Sequence, residues 1–434
     1  MEKRSQIAIL AGGFGTRLKK INSDIPKSMT MINGKPLLYH QLLECKKYSF
    51  ERITMFLHYK SDHIKDYFGD GTDMGLKIQY CLEDTPRGTA GAIIDGLETL
   101  DDNFIVLCGD TYFNINLENF YKYHLKRKSS LTLFTHPNNH PYDSDIIISN
   151  NKDEVESIEV PPHDHKKLPN LVSSGVYAFN RDAIKSYDSH LEKIDLSSHL
   201  IPYLIDEVRG VYSYKSVEYI KDMGTPERLE MVKRDINNRK PESLSCENKR
   251  KAIFLDRDGT LIEENGHITD FSQINIFPFT AESLKRINDS GYLCIVITNQ
   301  PVIARGDITE DELTDIHNFM EFKLGEEGAY IDDLFYCPHH PDSGYDGEVS
   351  NLKIKCDCRK PGTKLIEDSI KKYNISREDS WFIGDQTSDI LAGKRSGLST
   401  ILLETGHAGN DQKYSVEATC VCKNIFYAIN KILG

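Results

Sequence analysis

Ile253-Phe254-Leu255-Asp256-Arg257-Asp258-Gly259-Thr260 is the stretch on which the reading of this chain turns. Three apolar residues run directly into two aspartates at i and i+2, and Gly and Thr follow. A short apolar run closed by a Gly-containing polar cluster reads as a buried parallel strand ending at a sheet's carboxyl edge, where α/β folds place ligands. Alternation along the strand sends Asp256 and Asp258 to the same side. Two carboxylates so close cannot both ionise cheaply unless a cation lies between them or one keeps its proton. The plain alternative is a polar strand end capped by an Asp-Gly turn. It weakens once Thr298, Lys360 and Asp385 follow in order downstream. The stretch reads as a phosphoryl-transfer site.

Around it, 434 residues suffice for two or three domains with real cores. A formal net charge of −13 argues against general affinity for nucleic acid or an anionic membrane. A phosphate-bearing substrate must then be met by local cations, amides or metals. The apolar run before Gly12 is too short for a signal segment, and no later run approaches a membrane span. With ten cysteines, this points to a reducing, cytoplasmic setting in which clustered cysteines suggest metal rather than disulfides. Cys45, Cys81, Cys108 and Cys294 sit in apolar contexts and are expected as core filler.

Ile7-Ala8-Ile9-Leu10 is a strand candidate that feeds Ala11-Gly12-Gly13-Phe14-Gly15-Thr16-Arg17-Leu18. Glycines let backbone amides approach a polyphosphate, and Arg17 can fork onto its oxygens. The turn has neither Walker spacing nor a dinucleotide-fold continuation. Pro26-Lys27 adds a cation after a turn signal, and Pro36 to Tyr48 reads as a helix.

These residues resemble the signature of the sugar-1-phosphate nucleotidyltransferases. The later landmarks follow in order: Pro86-Arg87-Gly88-Thr89-Ala90-Gly91-Ala92, the strand into Gly109-Asp110, and Asp222-Met223-Gly224-Thr225-Pro226. The resemblance covers roughly residues 5–235 and implies a Rossmann-like domain with a mixed sheet. It implies that Ala11, Gly12, Gly13, Gly15, Thr16, Gly88 and Thr89 bind the nucleoside triphosphate, and that Asp110 and Asp222 hold Mg²⁺. Arg17 would neutralise departing pyrophosphate, and Lys27 would bridge the reacting phosphates; such a transfer rests on positioning and charge neutralisation. Two departures concern the sugar. Glu159-Val160-Pro161 lacks the Lys common in the family, unless Lys166 or Lys167 replaces it, and Ser173-Ser174-Gly175 replaces Asn-Ala-Gly, with Gly175 expected at the substrate.

Residues 238–250 are polar and are expected to link a first domain, 1–237, to a second, 251–434. In the second half Thr280 to Asp289 looks helical. Strands are expected to end at Thr298-Asn299-Gln300 and at Gly384-Asp385, with Asp389 one turn on. The order Asp-x-Asp-Gly-Thr, Thr, Lys, Gly-Asp-x-x-x-Asp resembles the haloacid dehalogenase-like phosphatases, a Rossmannoid fold. By that resemblance Asp256 is the nucleophile, Asp258 the general acid and then base, and Thr298 and Lys360 balance phosphate charge. Asp256, Asp258 and Asp385 are expected at Mg²⁺ with Asp389 in support, and Asn299, Arg305 and Arg359 at the substrate.

Cys337-Pro338-His339-His340 and Cys356-Asp357-Cys358 together offer three thiolates and one imidazole, a closed tetrahedral set for structural Zn²⁺. Of the two histidines, the resemblance favours His339 over His340. The zinc loop before Arg359-Lys360-Pro361 resembles the D-glycero-D-manno-heptose 1,7-bisphosphate 7-phosphatases, with histidinol phosphatases as near relatives. Pro301 and Gln386 depart from that pattern, the latter removing a charge. The two halves together imply an enzyme that makes heptose 1-phosphate from heptose 1,7-bisphosphate and then activates it with a nucleotide. A histidinol-phosphate-type phosphatase joined to a hexose-1-phosphate transferase, or a sensor of nucleotide sugars with one inactive domain, are the alternatives. A homo-oligomer is compatible with the sequence. Glu83 points to GTP: its carboxylate can accept from both N1–H and the exocyclic amine of guanine, whereas Gln cannot.

Overall fold

The computed structural model describes residues 6–13, 25–163, 167–188, 190–344 and 346–434. The chain divides into two compact units, each described by itself. The first comprises 1–136, 144–163 and 171–241, and the second 137–143, 164–170 and 242–434. Two short segments of the expected first domain therefore belong to the second unit. There the Asn138 amide donates to Asn170 Oδ1 at 3.1 Å and Asn170 Nδ2 to the Asn138 carbonyl at 2.8 Å, joining one segment to the other.

The first unit is built on a mixed sheet. Its parallel part runs Lys77–Leu82, Arg52–Leu57, Gln6–Leu10, Asn103–Cys108. Val172–Asn180 joins antiparallel beside Asn103–Cys108. A parallel sheet covered on both faces is apolar at successive positions. Accordingly Ile7 and Ile9 enter one core cluster while Ala8 enters another on the opposite face, and all three are fully buried. The winding reverses between Gln6–Leu10 and Asn103–Cys108, so a crevice opens beyond their carboxyl ends.

The second unit has a six-stranded, all-parallel sheet in the order Asp333–Cys337, Tyr292–Asn299, Lys251–Leu255, Trp381–Gly384, Ser399–Leu403, Cys420–Cys422. This doubly wound order reverses between Lys251–Leu255 and Trp381–Gly384, whose next residues are Asp256 and Asp385. Helix Thr280–Ser290 turns its apolar stripe inward and ends on Gly291 in the left-handed region.

The stretch expected as a polar linker is exposed along much of its length but anchored by several buried residues. Lys240, Leu244, Ser245 and Arg250 are buried, and Lys240 Nζ lies 3.4 Å from buried Asp235 and 5.8 Å from the centre of the Tyr219 ring. A long cationic side chain can bury its stem once a carboxylate meets its head. No helix among the described residues is long and apolar enough to cross a membrane.

Candidate active sites

In the second unit, Asp256, Asp258, Thr298, Asn299, Arg359, Lys360 and Asp389 line a cavity of about 200 Å³ at the carboxyl ends of the strands. Carboxylate oxygens of Asp256, Asp385 and Asp389 lie within 4.8 Å of one another. Lys360 Nζ sits 2.6 Å from Asp256 Oδ1 and 2.8 Å from Asp389 Oδ1. Burial raises the Asp256 carboxyl, with Lys360 opposing and Asp389 and Asp258 reinforcing. Burial and then the charges of Asp389 and Asp256 raise Asp385. Asp385 Oδ2 accepts the His407 amide at 2.6 Å, while Oδ1 is buried and receives no hydrogen bond. Three buried carboxylates against one ammonium, with an oxygen left bare, fit a hard divalent cation.

The motif residues owe their types to this packing. Gly259 has φ +73°, and a Cβ there would lie 2.4 Å from Asp385 Oδ2. Asp389 is the third residue of helix Thr387–Arg395; its Oδ2 accepts the Gln386 amide at 3.0 Å and leaves Oδ1 for Lys360.

The carboxylate of Asp258, expected at Mg²⁺, lies outside the acidic trio. It accepts from Arg257 at 2.9 Å, from Gln300 Nε2 at 3.0 Å and from Thr298 Oγ1 at 3.5 Å. Arg257, 1% exposed, is held in turn by His317 Nε2 and Gln300 Oε1, each at 3.0 Å. Burial and then Arg257 hold His317 well below the usual imidazole range, so it stays neutral and accepts. Neither Arg257 nor His317 was legible as a site residue; the buried guanidinium shows itself only in three dimensions.

Asn299 lines the cavity, but its side chain is spent on Lys360: Oδ1 accepts the Lys360 amide at 2.9 Å and Nδ2 donates to its carbonyl at 3.3 Å. It positions the lysine. Arg305, expected at the substrate, is not among the cavity-lining residues and pairs with Asp307 at 3.1 Å and His267 at 3.0 Å. Arg359 lines the cavity while donating to the His339 carbonyl at 3.3 Å.

Cys337, His339, Cys356 and Cys358 converge as one cluster. The Sγ atoms are 3.2 to 3.6 Å apart, and His339 Nδ1 is 3.1 Å from Cys358 Sγ. Those separations are far beyond a disulfide's ~2 Å. They approach the ~3.8 Å edge of a tetrahedron drawn on Zn–S bonds of about 2.3 Å. The His340 ring instead accepts the Asp342 amide at 3.2 Å. The donor set fits zinc.

In the first unit, a cavity of about 530 Å³ is lined by Ala11, Gly12, Gly13, Lys27, Glu83, Gly88, Thr89, Asp110 and Asp222, with Cys108 and Lys193 among the rest. Gly15, Thr16 and Arg17 lie outside the described residues. Strand Thr111–Asn114 pairs with Tyr219–Asp222 and sets Asp222 opposite Thr111, next to Asp110. Both carboxylates already have a cation. Asp110 pairs with Lys27, and both Asp222 oxygens lie 2.8 Å from Arg228 Nη1. The expected bridge from Lys27 to the phosphates therefore begins from an ion pair.

Gly88 has φ +85°, and a Cβ there would lie 2.5 Å from the Ile194 carbonyl. That carbonyl accepts the Ala90 and Gly91 amides at 3.0 and 3.1 Å. Thr89 lines the cavity, yet its hydroxyl donates to Asp195 and accepts the Leu196 amide, both at 2.9 Å. The turn thus grips residues 194–196, and the neighbouring Lys193 lines the cavity. Lys166 is outside the described residues, and Lys167 pairs with Asp315 at 3.0 Å in the second unit. Gly175 stands behind the wall: its Cβ position is 3.1 Å from Cys108. Cys108 packs against the core cluster as expected and also forms part of that wall, and burial followed by Asp110 raises its thiol. Glu83 Oε2 lies 3.0 Å from a Cβ position at Gly12, and Oε1 accepts the Arg87 amide at 3.4 Å. Burial raises its carboxyl, with the Arg87 amide opposing.

Fold and sites define a nucleotidyl transferase joined to a haloacid dehalogenase-like phosphatase. A sequence profile of the nucleotidyl transferase family matches residues 7–239, and one of HAD-like hydrolases matches 357–426. The chain is 37% identical over 161 residues to D-glycero-beta-D-manno-heptose-1,7-bisphosphate 7-phosphatase of Haemophilus ducreyi, across 37% of this chain and 86% of that protein. It is 37% identical over 190 residues to D-glycero-alpha-D-manno-heptose-1,7-bisphosphate 7-phosphatase of Photorhabdus laumondii, across 43% of this chain and 98% of that one. The crystal structure of HddC from Yersinia pseudotuberculosis is 27% identical, covers 54% of this chain and 100% of its own, and aligns with a TM-score of 0.47. The chain belongs to the nucleotidyl transferase family through its first unit and to the heptose-1,7-bisphosphate 7-phosphatases through its second.

Proposed function

We propose that the chain removes the 7-phosphate of D-glycero-D-manno-heptose 1,7-bisphosphate and then transfers GMP from GTP to heptose 1-phosphate, yielding GDP-heptose and pyrophosphate. What carries this reading is the presence in one chain of a heptose bisphosphatase relative and a nucleotidyl transferase cavity, since the product of the first reaction is the acceptor of the second.

In the phosphatase, an Asp256 oxygen attacks phosphorus and the sugar O7 departs with a proton from Asp258, leaving an aspartyl phosphate. Asp258 then takes a proton from the water that splits the aspartyl phosphate, releasing phosphate and restoring Asp256. Lys360 holds Asp256 in place and offsets phosphate charge. Mg²⁺ at Asp256, Asp385 and Asp389 would supply further neutralisation. Zn²⁺ at Cys337, His339, Cys356 and Cys358 would pin the segment carrying Arg359 and Lys360.

In the transferase, a heptose phosphate oxygen attacks the α-phosphorus of GTP in line with the leaving pyrophosphate. Asp110 and Asp222 would hold Mg²⁺, and Lys27 would exchange its pairing with Asp110 for the phosphates. Glu83 favours guanine, because buried acceptors facing the wrong base edge go unpaired. The test is mass spectrometry of products from heptose 1,7-bisphosphate with each of the four nucleoside triphosphates. GDP-heptose as the main product is expected; a nucleotide sugar made chiefly with ATP, CTP or UTP would refute the assignment of the base, and none at all would refute the sequence of reactions.

A further inference from the structure

A sugar bisphosphate brings two phosphates, and the chemistry at Asp256 accounts for one. We propose that Lys413 recognises the phosphate that stays on the sugar, and this rests on the phosphatase reading above.

The two cations paired with the motif carboxylates are already committed. Lys360, 5% exposed, is held by Asp256 and Asp389, and Arg257 by Asp258, Gln300 and His317. Lys413 lines the same cavity but comes from an exposed segment far along the chain. That segment is stapled in place. Asp411 accepts the Thr387 amide at 2.9 Å and the Thr387 hydroxyl, and the Tyr414 amide donates to Thr387 Oγ1 at 3.3 Å.

Thr387 opens helix Thr387–Arg395, the helix that carries Asp389. Lys413 is therefore fixed relative to the acidic trio through the same helical turn. Asp411 places a carboxylate at that helix end and beside Lys413, and a phosphate dianion in the cavity would give the lysine a second, more highly charged partner. Gln386, the N-cap of that helix, also lines the cavity and adds no charge of its own. The ligand chemistry that answers is a phosphate monoester dianion carried by a polyhydroxylated chain. A lysine suits it as a mobile point charge, able to follow a phosphate on a flexible sugar.

The experiment compares kcat/KM of the full chain for heptose 1,7-bisphosphate and for heptose 7-phosphate, in the wild type, Lys413→Ala and Lys413→Arg. Wild type is expected to prefer the bisphosphate. Lys413→Ala should lose about 10- to 100-fold on the bisphosphate, the scale of one charge-assisted contact, and change less than about threefold on the monophosphate. Lys413→Arg should retain most of the preference. Circular dichroism and thermal melting of the same preparations report that each variant is folded. An undiminished preference in Lys413→Ala, or equal losses on both substrates, overturns the assignment of Lys413 alone. A wild type indifferent to the second phosphate overturns the bisphosphate reading itself and Lys413 with it.

Discussion

Replacing Lys360 with Met removes a cation that touches two members of the acidic trio. Lys360 Nζ lies 2.6 Å from Asp256 and 2.8 Å from Asp389, all three side chains are nearly inaccessible, and the ammonium stands 5.6 Å from the Phe382 ring. Methionine keeps much of the volume and the contact with Phe382, so the change is mainly electrostatic. Stripping the partner from a buried ion pair costs about 3–5 kcal/mol. At about 2–4 °C per kcal/mol for a unit of this size, melting without divalent cation should fall by roughly 6–20 °C. Mg²⁺ should restore part of that loss. Loss of a preorganised charge at a reacting centre costs on the order of 10²–10³ in rate. The assay is phosphate release from heptose 1,7-bisphosphate at saturating Mg²⁺, with nucleotidyl transfer to supplied heptose 1-phosphate as the control. A variant that keeps more than about a tenth of its phosphate release, or loses both activities while folded, would refute the reasoning.

Glu83→Gln should lower kcat/KM for GTP by about 10- to 100-fold relative to UTP, measured with all four nucleoside triphosphates; an unchanged ratio means that Glu83 serves only the Arg87 turn. Cys356→Ser should release zinc, seen by elemental analysis, and reduce phosphate release while leaving nucleotidyl transfer intact. His124 is buried between Thr132 Oγ1 at 2.9 Å and Asn103 Oδ1 at 3.1 Å, and burial pushes it down to about 4. The unfolded chain then binds a proton that the folded one refuses, so this stability is present above about pH 6.5 and is lost as pH falls toward 4. Urea unfolding at pH 7 and pH 5 should show that loss, and His124→Asn should flatten the dependence.

Residues readable from sequence share one property: each sits at the end of its own apolar strand or beside a local turn. Asp256 and Asp385 follow strands that meet at the sheet's reversal, and the Cys337 to Cys358 set announces itself by ligand type and spacing. What stayed hidden arrives by packing between distant segments. Arg257 lies in the most recognisable motif, but its role depends on His317, 60 residues on. Lys413 and Lys193 reach their cavities from loops with no motif, held by Thr387 and by the Gly88 turn. Thr89 and Asn299, expected at the nucleotide and at the substrate, line their cavities, but their hydrogen bonds go to Asp195 and to the Lys360 backbone. The 238–250 stretch looked like a linker because polarity was read without its partners; Lys240 has Asp235 waiting for it.

The most direct test of two complementary sites in one chain is to follow nucleotide sugar formation by Asp256→Asn from two starting materials. With heptose 1,7-bisphosphate and GTP, the variant should release no phosphate and form no GDP-heptose. With heptose 1-phosphate and GTP, it should form GDP-heptose at the wild-type rate. GDP-heptose formed by the variant from the bisphosphate, or none formed from the monophosphate by folded protein, would contradict the account.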